Sequence, residues 1–210
     1  MKIHILNETG KFNNIDKQIQ NDILIHAVSI KKFINLDKLD IVVSHMPDCA
    51  NEIIGIGGGA FGGFRLDIFY DMDNPNIINN IKNELLSILA HETHHCARYR
   101  IVGNPKSLQD NLVTEGLACH FEEIVNGGRE NLLFTNFKDG NWEQYYNKFR
   151  HLLPNTVFDF NCLFHGSSPT EFPKYTGYWV GYNLVLSHMR RHNLKWEDMV
   201  GINSETIQRT

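Results

Sequence analysis

His91-Glu92-Thr93-His94-His95 is the group of residues in this chain with the clearest capacity for chemistry. On a helix turning about 100° per residue, His91 and His95 lie only about 40° apart on one face. Their ring nitrogens can reach a single ion from successive turns. Glu92 is too close in sequence to be an easy third ligand, but it is well placed for a water held by that ion. Imidazole and carboxylate donors suit zinc, and three protein ligands leave a fourth position open. The pattern predicts one Zn2+ ion bound by His91, His95 and a further ligand, with Glu92 as general base.

The third ligand must come from another element. Glu115 lies in Thr114-Glu115-Gly116-Leu117-Ala118, on the next expected helix. A short connection containing Gly103, Asn104 and Pro105 would fold that helix back against the first, and the small residues Gly116 and Ala118 would let the two approach closely. A lone helix glutamate is ordinarily a solvated surface acid. Behind an H-E-x-x-H helix, Glu115 is expected to be the ligand.

HETHH followed by TEGLA resembles the gluzincin class of metallopeptidases. More closely, it resembles a bacterial family of zinc-dependent proteases that carry HExxH and then an EGLA segment. The resemblance takes in Arg98 and the aromatic segment Tyr175 to Tyr182. It implies a zincin-like α+β fold, with a small N-terminal mixed sheet packed on the HExxH helix and a mainly helical C-terminal part. It also implies hydrolysis of a peptide or protein substrate by a metal-activated water. Many gluzincins place an aspartate four residues after the ligand glutamate to orient a ligand histidine; here that position is Cys119, which leaves Asp110, Glu122 or a backbone carbonyl for the role. The resemblance places Tyr178 at a helix start, as the favoured donor to the oxyanion. Tyr182, His188 and Arg98 are further candidates, and plain core packing of Tyr175, Tyr178, Trp179 and Tyr182 is the alternative. Two other functions remain open: a catalytically silent metal- or peptide-binding module, and a zinc hydrolase of a non-peptide amide. The intact Glu92 weighs against the silent module.

Several elements must position these residues. Lys2 to Asn7 alternates like a strand, Asn14 to Leu36 has apolar residues at helical spacing, and Asp40 to Ser44 reads as a buried strand. The glycine run from Gly55 to Gly63 cannot be a stable helix. It lacks the ending of a phosphate loop, and fits two strands joined by a loop, the second being Arg65 to Tyr70. One reading makes that second strand the edge beside the active-site helix, open to a peptide, with the glycine run as a rim; a plain hairpin connection is the equal alternative. Asn74 as N-cap and Pro75 at the first helical position start the next helix. Ile77, Ile81, Leu85 and Leu89 mark one face, and the helix should stop before Gly103. Ser107 with Asp110 resembles a capping box for a helix ending near Gly127 and Gly128. After a break around Pro154 to Pro173, an amphipathic helix is expected over Gly177 to His192, then a short tail helix. The order, strands first and helices after, argues one α+β domain, with an α/β part over about 1–103 and a helical part over about 104–210.

Composition narrows the functions further. A chain of 210 residues with net charge −4 has no basic stripe for nucleic acid. No apolar run is long enough for a bilayer, and no secretory pattern opens the chain, so a cytoplasmic protein is expected. The 4 cysteines are unevenly spaced without a C-x-x-C pair, which predicts free thiols. Of the other histidines, His94 points to the other side of His91, His120 faces elsewhere, and His188 with His192 forms a cationic helix end. His165, beside Gly166, sits on a loop that could reach the cleft.

Overall fold

The computed structural model describes residues 1–137 and 140–207. It is a mixed α+β structure with a small sheet and mostly helical content. The chain forms two compact units: Met1–Gly103 with Val125–Gly127, and Asn104–Ile124 with the described residues from Gly128 onward.

The first unit is a four-stranded mixed sheet of order β1-β2-β4-β3, made of β1 (Lys2–Ile5), β2 (Asp40–His45), β3 (Ile56–Ala60) and β4 (Arg65–Tyr70). β1 and β2 run parallel, as a crossover helix requires; that helix is α1 (Asp16–Ile30), which buries Ile19, Ile23, Ala27 and Ile30. β2 is parallel to β4, and β3 is antiparallel to β4. α2 (Ile77–Val102) packs on β3 and β4 beside α1. It buries Ile81, Leu85 and Leu89 on the face that the periodicity marks.

The strand Arg65 to Tyr70 is therefore interior, and the expectation that it forms the edge is corrected. Leu66, Ile68 and Tyr70 are 0% exposed, and a strand with that much to bury gains a ladder on both sides. β3 is Ile-Gly-Gly-Gly-Ala. With almost no side chain to bury, it falls at the rim. α2 also begins later than Asn74: its N-cap is Asn76. The Asn74 carboxamide oxygen accepts from the Asn76 N–H at 2.9 Å instead, an Asx turn that places Pro75 before the helix. The helix does end at Val102 before Gly103, whose φ is +81°.

The second unit is built on α3 (Leu108–Val125), α4 (Trp142–Phe149) and α5 (Thr176–His192). Ser107 and Asp110 form the expected reciprocal cap. The Asp110 N–H donates to Ser107 Oγ and the Ser107 N–H to Asp110 Oδ2, both at 3.1 Å. Leu112, Val113 and Leu117 of α3 meet Val180, Leu184 and Val185 of α5, with Phe149 and Phe164, in one apolar core. Gly116 has a different use from the one expected. A Cβ there would run into the backbone of Gly181 on α5, and a Cβ on Gly181 would run into the carbonyl of Leu112. The small residue thus closes the α3–α5 crossing. Past α5, the tail forms two short 3₁₀ turns, Trp196–Asp198 and Ser204–Thr206, in place of a helix.

Candidate functional site

α2 positions the first part of the site. The His91 and His95 rings stand one turn apart with centroids 4.7 Å from each other and planes 85° apart. His95 is buried, and its ring stacks on Tyr99, one further turn along, at 5.8 Å. Glu92 is buried as well. Its side chain lies over β3: a Cβ built at Gly58 would sit 2.5 Å from Glu92 Cγ and 3.0 Å from Oε1. Only glycine at position 58 allows the carboxylate that seat. The Cys96 thiol, next to His95 in the chain, is buried. Burial and the neighbouring Glu92 charge push it up to about 12, and its Sγ donates to the Arg65 carbonyl at 3.4 Å.

The second unit carries Glu115 on α3, half-buried and next to the Gly116–Gly181 crossing. The charge of Glu115 acts on His165, whose pKa is lowered by burial, with Glu115 opposing that shift and Lys174 adding to it. His165 ends the short π turn Asn161–His165. Gly166 follows at φ +70°, and a Cβ there would sit 2.8 Å from Lys174 Cα. The sequence brings His165 only as far as a loop. The structure brings its imidazole within the electrostatic reach of Glu115, which chain order does not announce.

The other expected residues lie on α2, α3 and α5. Tyr178 lies in the first turns of α5, edge-on to Phe164 at 5.3 Å and to Tyr175 at 6.0 Å. Tyr182 donates its hydroxyl to Glu123 Oε2 at 2.7 Å, so that hydrogen is committed. Arg98 is 1% exposed and has no open side for a substrate. His188 is buried, and burial lowers its pKa, with His192 and Arg191 adding to the effect. Asp110 is spent on the helix cap; its hydrogen bonds from Ser107 and Lys106 outweigh burial and hold the carboxyl low. His120 stacks on Tyr182 at 3.9 Å and bonds the Tyr182 carbonyl at 3.0 Å, which keeps it in the α3–α5 packing.

The donor chemistry can be compared with what zinc requires. Two imidazoles from successive turns, nearly perpendicular, can converge on one ion, and a carboxylate completes a nitrogen–oxygen set of the kind zinc takes. The candidate donor sets are His91 with His95 and Glu115, and His91 with Cys119 and Glu122. Glu122 Oε2 accepts from Asn131 Nδ2 at 2.7 Å, and Cys119 is fully buried.

A helix face with two imidazoles and a carboxylate on a glycine seat has the chemistry of metal-dependent hydrolysis. The family described as Predicted Zn-dependent protease (DUF2268) matches residues 20–209, and the chain belongs to that family. No curated protein and no solved structure matches it. Among the described residues, no helix is long and apolar enough to cross a membrane.

Proposed function

We propose that the protein is a zinc-dependent peptidase of gluzincin type on a zincin-like fold, with His91, His95 and Glu115 as ligands of one Zn2+ ion and Glu92 as general base. The observation that carries this reading is the seat of Glu92. The carboxylate is buried one residue from the imidazole pair and lies across Gly58 of the edge strand. A structural surface acid needs no such clearing, whereas a base that must meet a main-chain carbonyl at a strand edge does.

His91, His95 and Glu115 would hold the ion, which would supply polarisation of the scissile carbonyl and a more acidic water. Glu92 accepts the proton of the attacking water on its carboxylate and returns it to the leaving amide nitrogen. β3 supplies the docking edge. The Phe61 N–H donates to the Arg65 carbonyl at 2.9 Å and the Asp71 N–H to the Gly55 carbonyl at 2.8 Å. By the alternation of an antiparallel ladder, Gly58 and Ala60 therefore turn their N–H and C=O groups away from β4. An extended peptide can add there by main-chain hydrogen bonds. The Tyr178 hydroxyl is the proposed donor to the oxyanion, and the His165 imidazole, near Glu115, is the second candidate.

The test is a peptide-library digest by zinc-loaded protein, with and without chelator, alongside Glu92→Gln. The expected result is chelator-sensitive cleavage that falls by at least about 100-fold in Glu92→Gln while the variant keeps its zinc. A library left intact in every arm contradicts the peptidase, and cleavage confined to small non-peptide amides assigns a different substrate.

A further inference from the structure

The connection between β3 and β4 exposes two aromatic rings, with Phe61 60% and Phe64 53% exposed. Single exposed apolar side chains are ordinary; what sets Phe61 apart is how it is held. The Arg65 guanidinium lies 5.4 Å from the centre of its ring. Arg65 is fixed in turn, donating through Nε and Nη2 to the two oxygens of Asp67 at 2.8 Å each. Asp67 is itself buried. A bidentate fork on a buried carboxylate restrains the guanidinium, and a cation facing the ring restrains the phenyl group.

The register places that ring. The β3–β4 ladder continues to Phe61 through its bond to Arg65, and Phe61 stands two residues after Gly59, so both share one sheet face. A Cβ built at Gly59 would lie 3.4 Å from Phe61 Cε2 and 3.6 Å from Phe69 Cε2. Gly58, the residue before Gly59, points to the other face and meets Glu92 there. In a strand added along the open edge, the residue opposite Gly58 turns its side chain to the Glu92 face. Its neighbour opposite Gly59 turns its side chain to the Phe61 face.

We propose that Phe61 is a specificity-determining residue that selects a large apolar side chain at the substrate residue opposite Gly59, adjacent to the residue on the Glu92 face. This rests on the peptidase reading and names its substrate class. Gly59 has no side chain to occupy the cross-strand position, and the fixed ring offers apolar area beside it. A short polar side chain gains nothing from that surface. An acidic one meets a guanidinium already engaged by Asp67.

The experiment compares peptides that differ at one position, Phe or Leu against Ser, for both cleavage and binding. Cleavage is read as kcat/KM and binding as fluorescence anisotropy with the chelated protein. The wild-type ratio of apolar to serine peptide is expected to be about tenfold or more. It should fall toward one in Phe61→Ala, persist in Phe61→Leu and shrink in Arg65→Gln, where the ring remains but its restraint is gone. Far-ultraviolet circular dichroism checks that each variant is folded. A wild-type ratio near one, or a full ratio retained in Phe61→Ala while peptides are cleaved, overturns the inference and leaves the peptidase standing. Apolar-selective binding lost in Phe61→Ala, without cleavage by any form, supports the inference and overturns hydrolysis. Neither binding nor cleavage overturns both.

Discussion

Gly116 of α3 and Gly181 of α5 lie at one close crossing: a Cβ on Gly116 would strike the Gly181 backbone, and a Cβ on Gly181 would strike the Leu112 carbonyl. The contact sits one residue from Glu115 and one residue from Tyr182, so the glycines of the Glu-Gly-Leu-Ala and Val-Gly-Tyr segments serve the same crossing. Substituting either glycine by alanine should force the helices apart at a close-packed point. The expected cost is about 1–3 kcal/mol, read from urea unfolding of Gly116→Ala and Gly181→Ala. The two changes strain one contact, so the double variant should lose less than the sum of the single losses. A cost below about 0.5 kcal/mol for both, in the range of ordinary surface changes, would show that the crossing tolerates a methyl group.

Gly58 gives a prediction of the opposite kind, with a small effect on stability and a large one on turnover. In Gly58→Ala the new methyl group would meet the middle of a flexible side chain, Glu92 Cγ at 2.5 Å, which can rotate away at modest energetic cost. Moving a general base by an ångström is costly for the rate. The variant should keep its zinc and its fold and lose about 100-fold in kcat. Undiminished kcat with metal content and fold intact would show that the carboxylate does not need its seat on β3.

His120 makes stability depend on pH. Burial lowers its pKa to about 4; the hydrogen bond to the Tyr182 carbonyl opposes the shift and the Arg190 charge adds to it. In the unfolded chain the imidazole takes up a proton near its ordinary value of about 6.5, while the folded chain resists until about 4. The unfolded state therefore binds more protons between those values, and stability falls as pH drops through that window. The contribution, at most roughly 3 kcal/mol, is fully present above about pH 6.5 and lost by about pH 4. Unfolding midpoints of wild type and His120→Gln should converge as the pH falls from 7 to 4.5. Parallel curves would remove His120 as the cause.

The helix that carries His91 and His95 and the reciprocal cap of Ser107 and Asp110 are legible in the sequence because both are local. Their spacing is set by helical geometry, and no distant partner is required. The strand order is not legible. Composition marks the segments before and after the glycine run as strands, but which one lies at the rim depends on how much each must bury once the sheet exists. Arg65 to Tyr70 had more to bury, and glycine-rich Ile56 to Ala60 was left outside. Gly116 is misread for a related reason: a small residue announces a close approach without naming the neighbour, which proves to be α5. The N-cap moved from Asn74 to Asn76 because two asparagines flank Pro75 and only their turn geometry separates the roles. The hydroxyl of Tyr182 was committed by Glu123, a long-range partner that helical spacing does not reveal.

The central claim is that one zinc ion is held by His91, His95 and Glu115, and competitive chelator titration of Glu115→Ala beside wild type tests it most directly. Wild type should bind one zinc equivalent, and Glu115→Ala should stay folded and lose more affinity than the roughly 100-fold that loss of a supporting residue brings. Wild-type zinc affinity in Glu115→Ala would contradict it.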